Sequence, residues 1–270
     1  MTKTILITGS TDGIGRLAAE RLLEQGHRVL LHGRNATKLE ATAAALTRDG
    51  AAPQTFQADL SVMAEVEALA AAVREAHPKL DVLINNAGVF NVRTRTTGDG
   101  LDMTFAVNTI APYLLTQRLL PTMSAQGRVV NLSSAAQAPV DLQALAGRKT
   151  VPEQAAYAQS KLAITAWSFG LAQTLGSDGP SVVSVNPGSL LATKMVKEAF
   201  GVPGSDVGIG ADILVRAAVS EEFDGATGRY FDNDARRFGP PHPAAHDPGV
   251  VKSIIEGVEA SLTAVGTPLG

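Results

Sequence analysis

The chain has 270 residues, 45% of them hydrophobic and 18% charged, with 26 acidic against 23 basic side chains for a formal net charge of −3. That is enough length and apolar content to bury an α/β core and excludes wholesale disorder, and so even a charge balance argues against nucleic acid as the main partner. The absence of cysteine removes disulfides, thiolate nucleophiles and cysteine-held zinc or iron–sulfur sites together.

The apolar stretch before Thr8 is too short for a secretion signal, and no run of about 18 apolar residues suggests a membrane span. A soluble, cytoplasmic protein with no membrane partner is expected. Taken in chain order, short β-branched or aliphatic runs predict strands at 4–8, 28–32, 54–57, 81–85, 128–132, 181–185 and 228–231. Helical patterns lie between them; in the first, Leu17, Ala18, Arg21 and Leu22 recur at spacings of three and four. The unbroken apolar run at 82–84 indicates a sheet covered on both faces. Strand–helix–strand alternation with short links predicts one doubly wound, seven-stranded parallel α/β sheet, a single domain over 1–270. Ligands then belong beyond the carboxyl ends of the strands, where strand order reverses. The proline-rich stretch 238–248 reads as part of a surface arm over about 232–270.

The first strand runs directly into Thr8-Gly9-Ser10-Thr11-Asp12-Gly13-Ile14-Gly15 and then a helix. Gly9 suits the tight turn, Gly13 a close approach of backbone amides to phosphate, and Gly15 close packing of helix on strand. The helix N-terminus offers free N–H groups and a positive dipole end to a pyrophosphate. Glycines in this spacing are a weak signal alone; strand before and helix after make an ordinary glycine turn the poorer reading.

The second strand ends in His32-Gly33-Arg34-Asn35. A cofactor with two free ribose hydroxyls usually meets an acid here, whereas the guanidinium of Arg34 pairs with a 2′-phosphate. NADP(H) is therefore favoured and NAD(H) is the alternative; the bland alternative for Arg34 is a solvated surface arginine. Asp12 opposes the assignment in part, because its carboxylate adds negative charge to the phosphate loop.

The fifth strand leads into Ser133-Ser134, and Tyr157 and Lys161 follow on a predicted helix. Residues four apart share a helix face, so the phenol and the ammonium point into one space. A nearby cation is expected to bring the phenol towards working pH and make Tyr157 a usable acid and base. Ser134, at a strand end, is placed to hold a substrate oxygen. Tyr-x-x-x-Lys alone is a common accident on helices; joined to the glycine loop and to Asn85-Asn86-Ala87-Gly88 it becomes specific.

Together these motifs resemble the short-chain dehydrogenase/reductase family over essentially the whole chain. The family's glycine motif falls on Thr8 to Gly15, its Asn-Asn-Ala-Gly on Asn85 to Gly88, and its helix-four asparagine on Asn108. Its serine, tyrosine and lysine fall on Ser134, Tyr157 and Lys161, within an active-site segment spanning 131–161. The resemblance implies cofactor contacts from Gly9, Ser10, Asp12, Gly13, Ile14 and Gly15, from Arg34 and Asn35, from Asp59 and Leu60 near the adenine, and from Asn86, Ala87 and Gly88. It adds Tyr157, Lys161, Pro187, Gly188 and, displaced by one place, Thr193. It also implies hydride transfer between a nicotinamide and a small to medium, largely apolar carbonyl or alcohol. Tyr157 would exchange the proton, Lys161 would lower its pKa and bind the nicotinamide ribose, Ser134 would orient the substrate oxygen, and Asn108 would support a water linking Lys161 to solvent. No metal is required, and a homodimer or homotetramer is a family expectation. The competing class is a catalytically silent dinucleotide-binding regulator, which would be expected to have lost Tyr157 or Lys161.

The stretch between Ser134 and Tyr157 is long for the family and resembles the retinol dehydrogenase and WW-domain-containing oxidoreductase branch. There it would form one wall of the substrate site, with Leu142 and Leu145 as apolar lining. Residues 189–208 are expected to form a lid. Trp167 reads as core or subunit contact. His242 and His246 are four apart, but the prolines at 240, 241 and 243 rule out the helix a metal pair would need. Asp232-Asn233-Asp234 opens like a calcium loop, yet Arg237 stands where that loop needs glycine.

Overall fold

Alternate strand residues face opposite sides of a sheet, and the apolar strand residues of this chain divide accordingly between two cores. A computed structural model describes residues 1–189, 191 and 206–269. In chain order the elements are β1 (Thr4–Ile7), α1 (Gly13–Glu24), β2 (Arg28–Gly33), α2 (Ala36–Ala45), β3 (Thr55–Gln57), α3 (Met63–Ala76) and β4 (Val82–Asn85). There follow α4 (Met103–Phe105), a π-helical turn (Ala106–Ile110), α5 (Ala111–Leu119), β5 (Arg128–Leu132), α6 (Leu142–Leu145) and α7 (Glu153–Leu175). The chain ends with β6 (Ser181–Asn186), α8 (Val207–Val219), β7 (Arg229–Asp232), β8 (Arg237–Gly239) and α9 (Pro248–Ala264).

The strands form one sheet in the order β3-β2-β1-β4-β5-β6-β7-β8. Leu6, Leu30, Leu83, Val129 and Val182 face a core shared with α3, α5, α7 and α9. Ile5, Ile7, Val29, Leu31, Val82, Ile84, Val130 and Val183 face a second core with α1, α2 and α8. Trp167 is fully buried, its ring 5.4 Å from that of Tyr113 and nearly perpendicular to it, and so belongs to the core. No described helix is long and apolar enough to cross a membrane.

Three expectations are corrected. The sheet has eight strands rather than seven, and the eighth runs antiparallel to β7. Arg236, in the left-handed region at φ 55, helps turn the chain back, and Phe238 then packs against Phe231 and Phe223 at 5.0 and 5.2 Å. The stretch after Asp232 is not an arm on the surface: α9 lies across α7 at Gly170, where a Cβ would come within 2.6 Å of Ile255. The 139–152 stretch does not bring its leucines to the substrate side. Leu145 is fully buried in the core, Leu142 is exposed, and both lean towards Gly257 of α9.

Candidate active site

Strand order reverses between β1 and β4, and the loops leaving β1, β2, β4, β5 and β6 line a cleft of about 1080 Å³. That is slightly above the roughly 300–1,000 Å³ of ordinary ligand sites, room enough for a cofactor and a substrate together.

At the β1 end, Gly9 takes a φ of 66, and the loop is fastened from β4. Asn86 donates through Nδ2 to the carbonyls of Thr8 (2.8 Å) and Gly9 (3.1 Å). The Thr8 hydroxyl in turn accepts from the amides of Asn86 (3.0 Å) and Ala87 (3.1 Å). A Cβ on residue 15 would stand 2.5 Å from the Gly9 carbonyl and collide with Asn86 Nδ2, so only glycine fits there. Asp12 is exposed and caps α1, accepting from the Gly13 amide at 2.8 Å. Its charge is thereby directed to the helix end and to water. Gly9, Asp12, Gly13, Ile14 and Gly15 all reach the cleft. Ser10 does not: it is fully buried, and its hydroxyl is taken up by the backbone of His32.

At the β2 end, Arg34 projects into solvent with Nη1 3.6 Å from the Asp59 carboxylate. Asn35 caps α2, accepting from the Lys38 amide at 2.9 Å. The Lys38 side chain also reaches the cleft, so two cations and one acid stand together here. Exposed ion pairs contribute little, which leaves Arg34 able to exchange Asp59 for another anion. Asp59, Leu60, Asn86, Ala87 and Gly88 complete this side.

At the β5 end, the Ser134 carbonyl accepts from the Tyr230 hydroxyl (3.0 Å) and from Gln137 Nε2 (2.9 Å), which fixes the residue from two directions. The Ser134 hydroxyl accepts from the Ala136 amide at 3.1 Å and is near enough to the Tyr157 hydroxyl to favour its charged form. Tyr157 is half-buried, its ring 5.0 Å from that of Phe90. One turn on, Lys161 is buried; Nζ donates to the Leu132 carbonyl at 2.8 Å and stands 5.5 Å from the Tyr157 ring centroid. Asn108 sits in the π-helical turn, a feature that often marks functional sites. Its side chain lies just behind the cleft wall, accepting from the Val89 amide (2.8 Å) and donating to the Val89 carbonyl (3.0 Å) and the Ser160 hydroxyl (3.1 Å).

The electrostatics depart from expectation. Tyr157 is not lowered. Burial pushes its hydroxyl above the ordinary value, and the neighbouring Ser134 hydroxyl opposes this only in part. Burial also brings Lys161 down to about 8, because removing water disfavours whichever form carries charge.

At the β6 end, Asn186 donates to Asp232 and Asp234 (both 2.9 Å) and accepts from the Gly188 amide (3.2 Å). Asp234 accepts from the Ser189 amide (2.9 Å) and hydroxyl (2.6 Å), and Asn233 donates to the Pro187 carbonyl (2.9 Å). The Asp-Asn-Asp triplet is therefore a clamp on the Pro187-Gly188 wall of the cleft. Thr193 and most of the expected lid lie outside the described residues; Leu191 lines the cleft. Among the described residues no group of three or more histidine, aspartate or glutamate side chains is arranged to hold a metal.

Sequence reasoning did not single out His32, Lys38, Phe90, Gln137 or Tyr230. Lys38 had a usable signal, standing four residues beyond Arg34 in the first turn of α2. Gln137 acts locally, three residues after Ser134, but glutamine in a loop carries no signal of that role; His32, Phe90 and Tyr230 act through contacts distant in sequence.

The short chain dehydrogenase profile matches residues 3–201. Human retinol dehydrogenase 13 is 31% identical over 275 residues, covering 93% of this chain and 82% of that protein. The solved landomycin C-6 ketoreductase LanV, with bound NADP and rabelomycin, superposes with a TM-score of 0.67 at 32% identity, over 86% of this chain and 94% of that one. LugOII, described as a promiscuous reductase acting in lugdunomycin biosynthesis, gives 0.67 and 32% over 86% and 95%.

Burial predicts an observable titration. With ¹³C-labelled lysine followed by NMR, Lys161 is expected to be charged at neutral pH and to lose its proton as pH rises through about 8; a midpoint near the ordinary 10.5 would contradict the geometry.

Proposed function

From the premise that the chain belongs to the short chain dehydrogenase family, we propose that it is an NADP(H)-preferring reductase of a ketone or aldehyde on a small to medium, largely apolar skeleton. The observation that carries this reading is the meeting of Ser134, Tyr157 and Lys161 on the wall of the cleft whose opposite end is the glycine loop. A nicotinamide dinucleotide fits the residues present. The α1 N-terminus, with Gly13, Ile14 and Gly15 lining the cleft, suits a pyrophosphate, and Arg34 with Lys38 suits a 2′-phosphate. Gly88 keeps open the space beside Asn108 and Lys161, where a Cβ would lie 3.7 Å from Nζ.

When bound, the nicotinamide supplies or accepts the hydride. The chain's own groups handle the oxygen and the proton. Ser134, held through its carbonyl by Tyr230 and Gln137, directs its hydroxyl at the substrate oxygen. In reduction Tyr157 gives its proton to that oxygen; in oxidation its phenolate takes one back. At neutral pH the Tyr157 phenol carries the proton that the first role needs, while burial disfavours the phenolate left behind. The Lys161 ammonium, charged below about 8, stabilises the negative charge left on the Tyr157 oxygen. Val89, Phe90, Ala135, Ala136 and Leu191 give the substrate end an apolar lining, with Gln154 as a polar exception. The relatives' names, a retinol dehydrogenase, a landomycin C-6 ketoreductase and a reductase of a keto group at C1, agree with a carbonyl or alcohol substrate.

Tyr157→Phe is expected to keep NADPH affinity and lower turnover at least about 10²-fold on any ketone the wild type reduces, the usual scale for losing a general acid; near-normal turnover would refute the mechanism. NADPH binding without turnover by the wild type across a broad carbonyl panel would favour a regulator. For cofactor choice, Michaelis constants for NADPH and NADH are compared before and after Arg34→Ala. The wild type should prefer NADPH and the variant should lose most of that preference. Equal constants in both proteins would remove the NADP(H) assignment.

A further inference from the structure

We infer that His32 is a positioning residue for dinucleotide binding, a neutral imidazole whose Nδ1 holds the Gly9 amide and so sets the orientation of the phosphate loop. The inference rests on the proposed reading that the cleft takes a nicotinamide dinucleotide.

His32 is the fifth residue of β2 and is 2% exposed, yet its ring reaches the cleft wall. Its two nitrogens meet different partners. Nε2 is 3.2 Å from the Ala58 carbonyl, and Nδ1 is 3.1 Å from the Gly9 amide nitrogen. A carbonyl only accepts and an amide N–H only donates, so both bonds form with a single tautomer, protonated at Nε2 and bare at Nδ1. A charged ring would turn an N–H against the Gly9 N–H. Burial keeps the imidazole neutral, with a pKa near 4 despite the opposing influence of the Ala58 carbonyl and Asp59.

Gly9 is consequently held on both sides of its Cα, its N–H by His32 and its carbonyl by Asn86. Its φ of 66 and the 3.0 Å separation between a would-be Cβ and Ala87 Cα leave little room for another orientation. The Gly9 amide is spent inside the protein rather than on a ligand, and the loop that follows is aimed by that constraint. The backbone strengthens the joint: the Ser10 amide donates to the His32 carbonyl (3.0 Å), and the His32 amide to the Ser10 hydroxyl (2.9 Å). Through Ala58 the same ring also touches the chain just before Asp59 and Leu60. One side chain thus joins the phosphate-loop wall to the wall leaving β3.

Two amide substitutions separate the two bonds. In His32→Asn, Oδ1 overlays Nδ1 and preserves an acceptor for Gly9. In His32→Gln, the longer amide reaches the Nε2 position and preserves the Ala58 contact, but strands the Gly9 N–H. NADPH affinity is measured by cofactor fluorescence and scaled to the fraction of native protein from near-ultraviolet circular dichroism. The Gln variant should bind about 10-fold or more weakly, as expected for one buried amide left unpaired, and the Asn variant within about threefold of wild type. The loss should fall on the dissociation constant and KM for NADPH rather than on kcat at saturating cofactor. Equal affinities in all three proteins, or equal losses in both variants, would overturn the inference. Should a variant fail to fold, ¹⁵N shifts of the wild-type His32 ring decide it: the Nε2–H tautomer at pH 7 supports the inference, and the Nδ1–H tautomer or a charged ring overturns it. Wild-type protein that binds no NADPH would instead defeat the dinucleotide reading, and this inference with it.

Discussion

The Gly9 carbonyl, gripped by the side-chain amide of Asn86 from the neighbouring strand, is the contact on which the cleft depends. It brings the turn after β1 against the turn after β4, at the one place where the sheet's winding reverses. Gly15 must lack a Cβ because Asn86 and the Gly9 carbonyl already fill that space. Thr8 and Asn86 lock reciprocally through two hydrogen bonds, Asn86 reaches on to the Gly9 carbonyl, the Ala87 amide donates to the Thr8 hydroxyl, and His32 holds the Gly9 N–H. The glycine motif and the Asn-Asn-Ala-Gly motif are therefore two halves of one joint. Neither half forms the cleft by itself.

At the far end of the same cleft, burial rather than pairing governs the ionisable groups. Tyr157 and Lys161 share a helix face, as residues four apart must, and both are pushed towards their uncharged forms. Ser134 tempers this at Tyr157, and it is itself fixed by Tyr230 from β7 and Gln137 from the loop after β5. On the β6 side, the acids of Asp232-Asn233-Asp234 are consumed as acceptors from Asn186 and Ser189. Their chemistry is accordingly structural: they set the position of the Pro187-Gly188 wall.

Much of this was legible in the residues because the signals were local. The unbroken apolar run in β4 announced a sheet covered on both faces, and the placement of strands 28–32 and 128–132 needed little tertiary help. The glycine loop, Arg34, Ser134, Tyr157 and Lys161 were found from type and spacing, and all reach one cleft. What escaped depends on distant partners. β8 is three residues long, too short to show a period, and exists because Phe238 finds Phe223 and Phe231. The α9 helix was hidden behind the prolines that precede it, although Ile254, Val258 and Leu262 carry a helical spacing. Ser10 resembles a phosphate ligand in sequence, but its hydroxyl is claimed by β2. The direction in which Tyr157 shifts required knowing how little water reaches it. His32 had no signal of its own in a strand of apolar neighbours; only the positions of Gly9 and Ala58 give its two nitrogens separate tasks.

The most direct test of the account is a crystal structure of the protein with NADP(H). The account predicts the pyrophosphate at the α1 N-terminus, the 2′-phosphate beside Arg34 and Lys38, and the nicotinamide ring facing the Tyr157 hydroxyl with its ribose in reach of Lys161. A dinucleotide bound elsewhere, or a Tyr157 hydroxyl turned away from the nicotinamide, would contradict it.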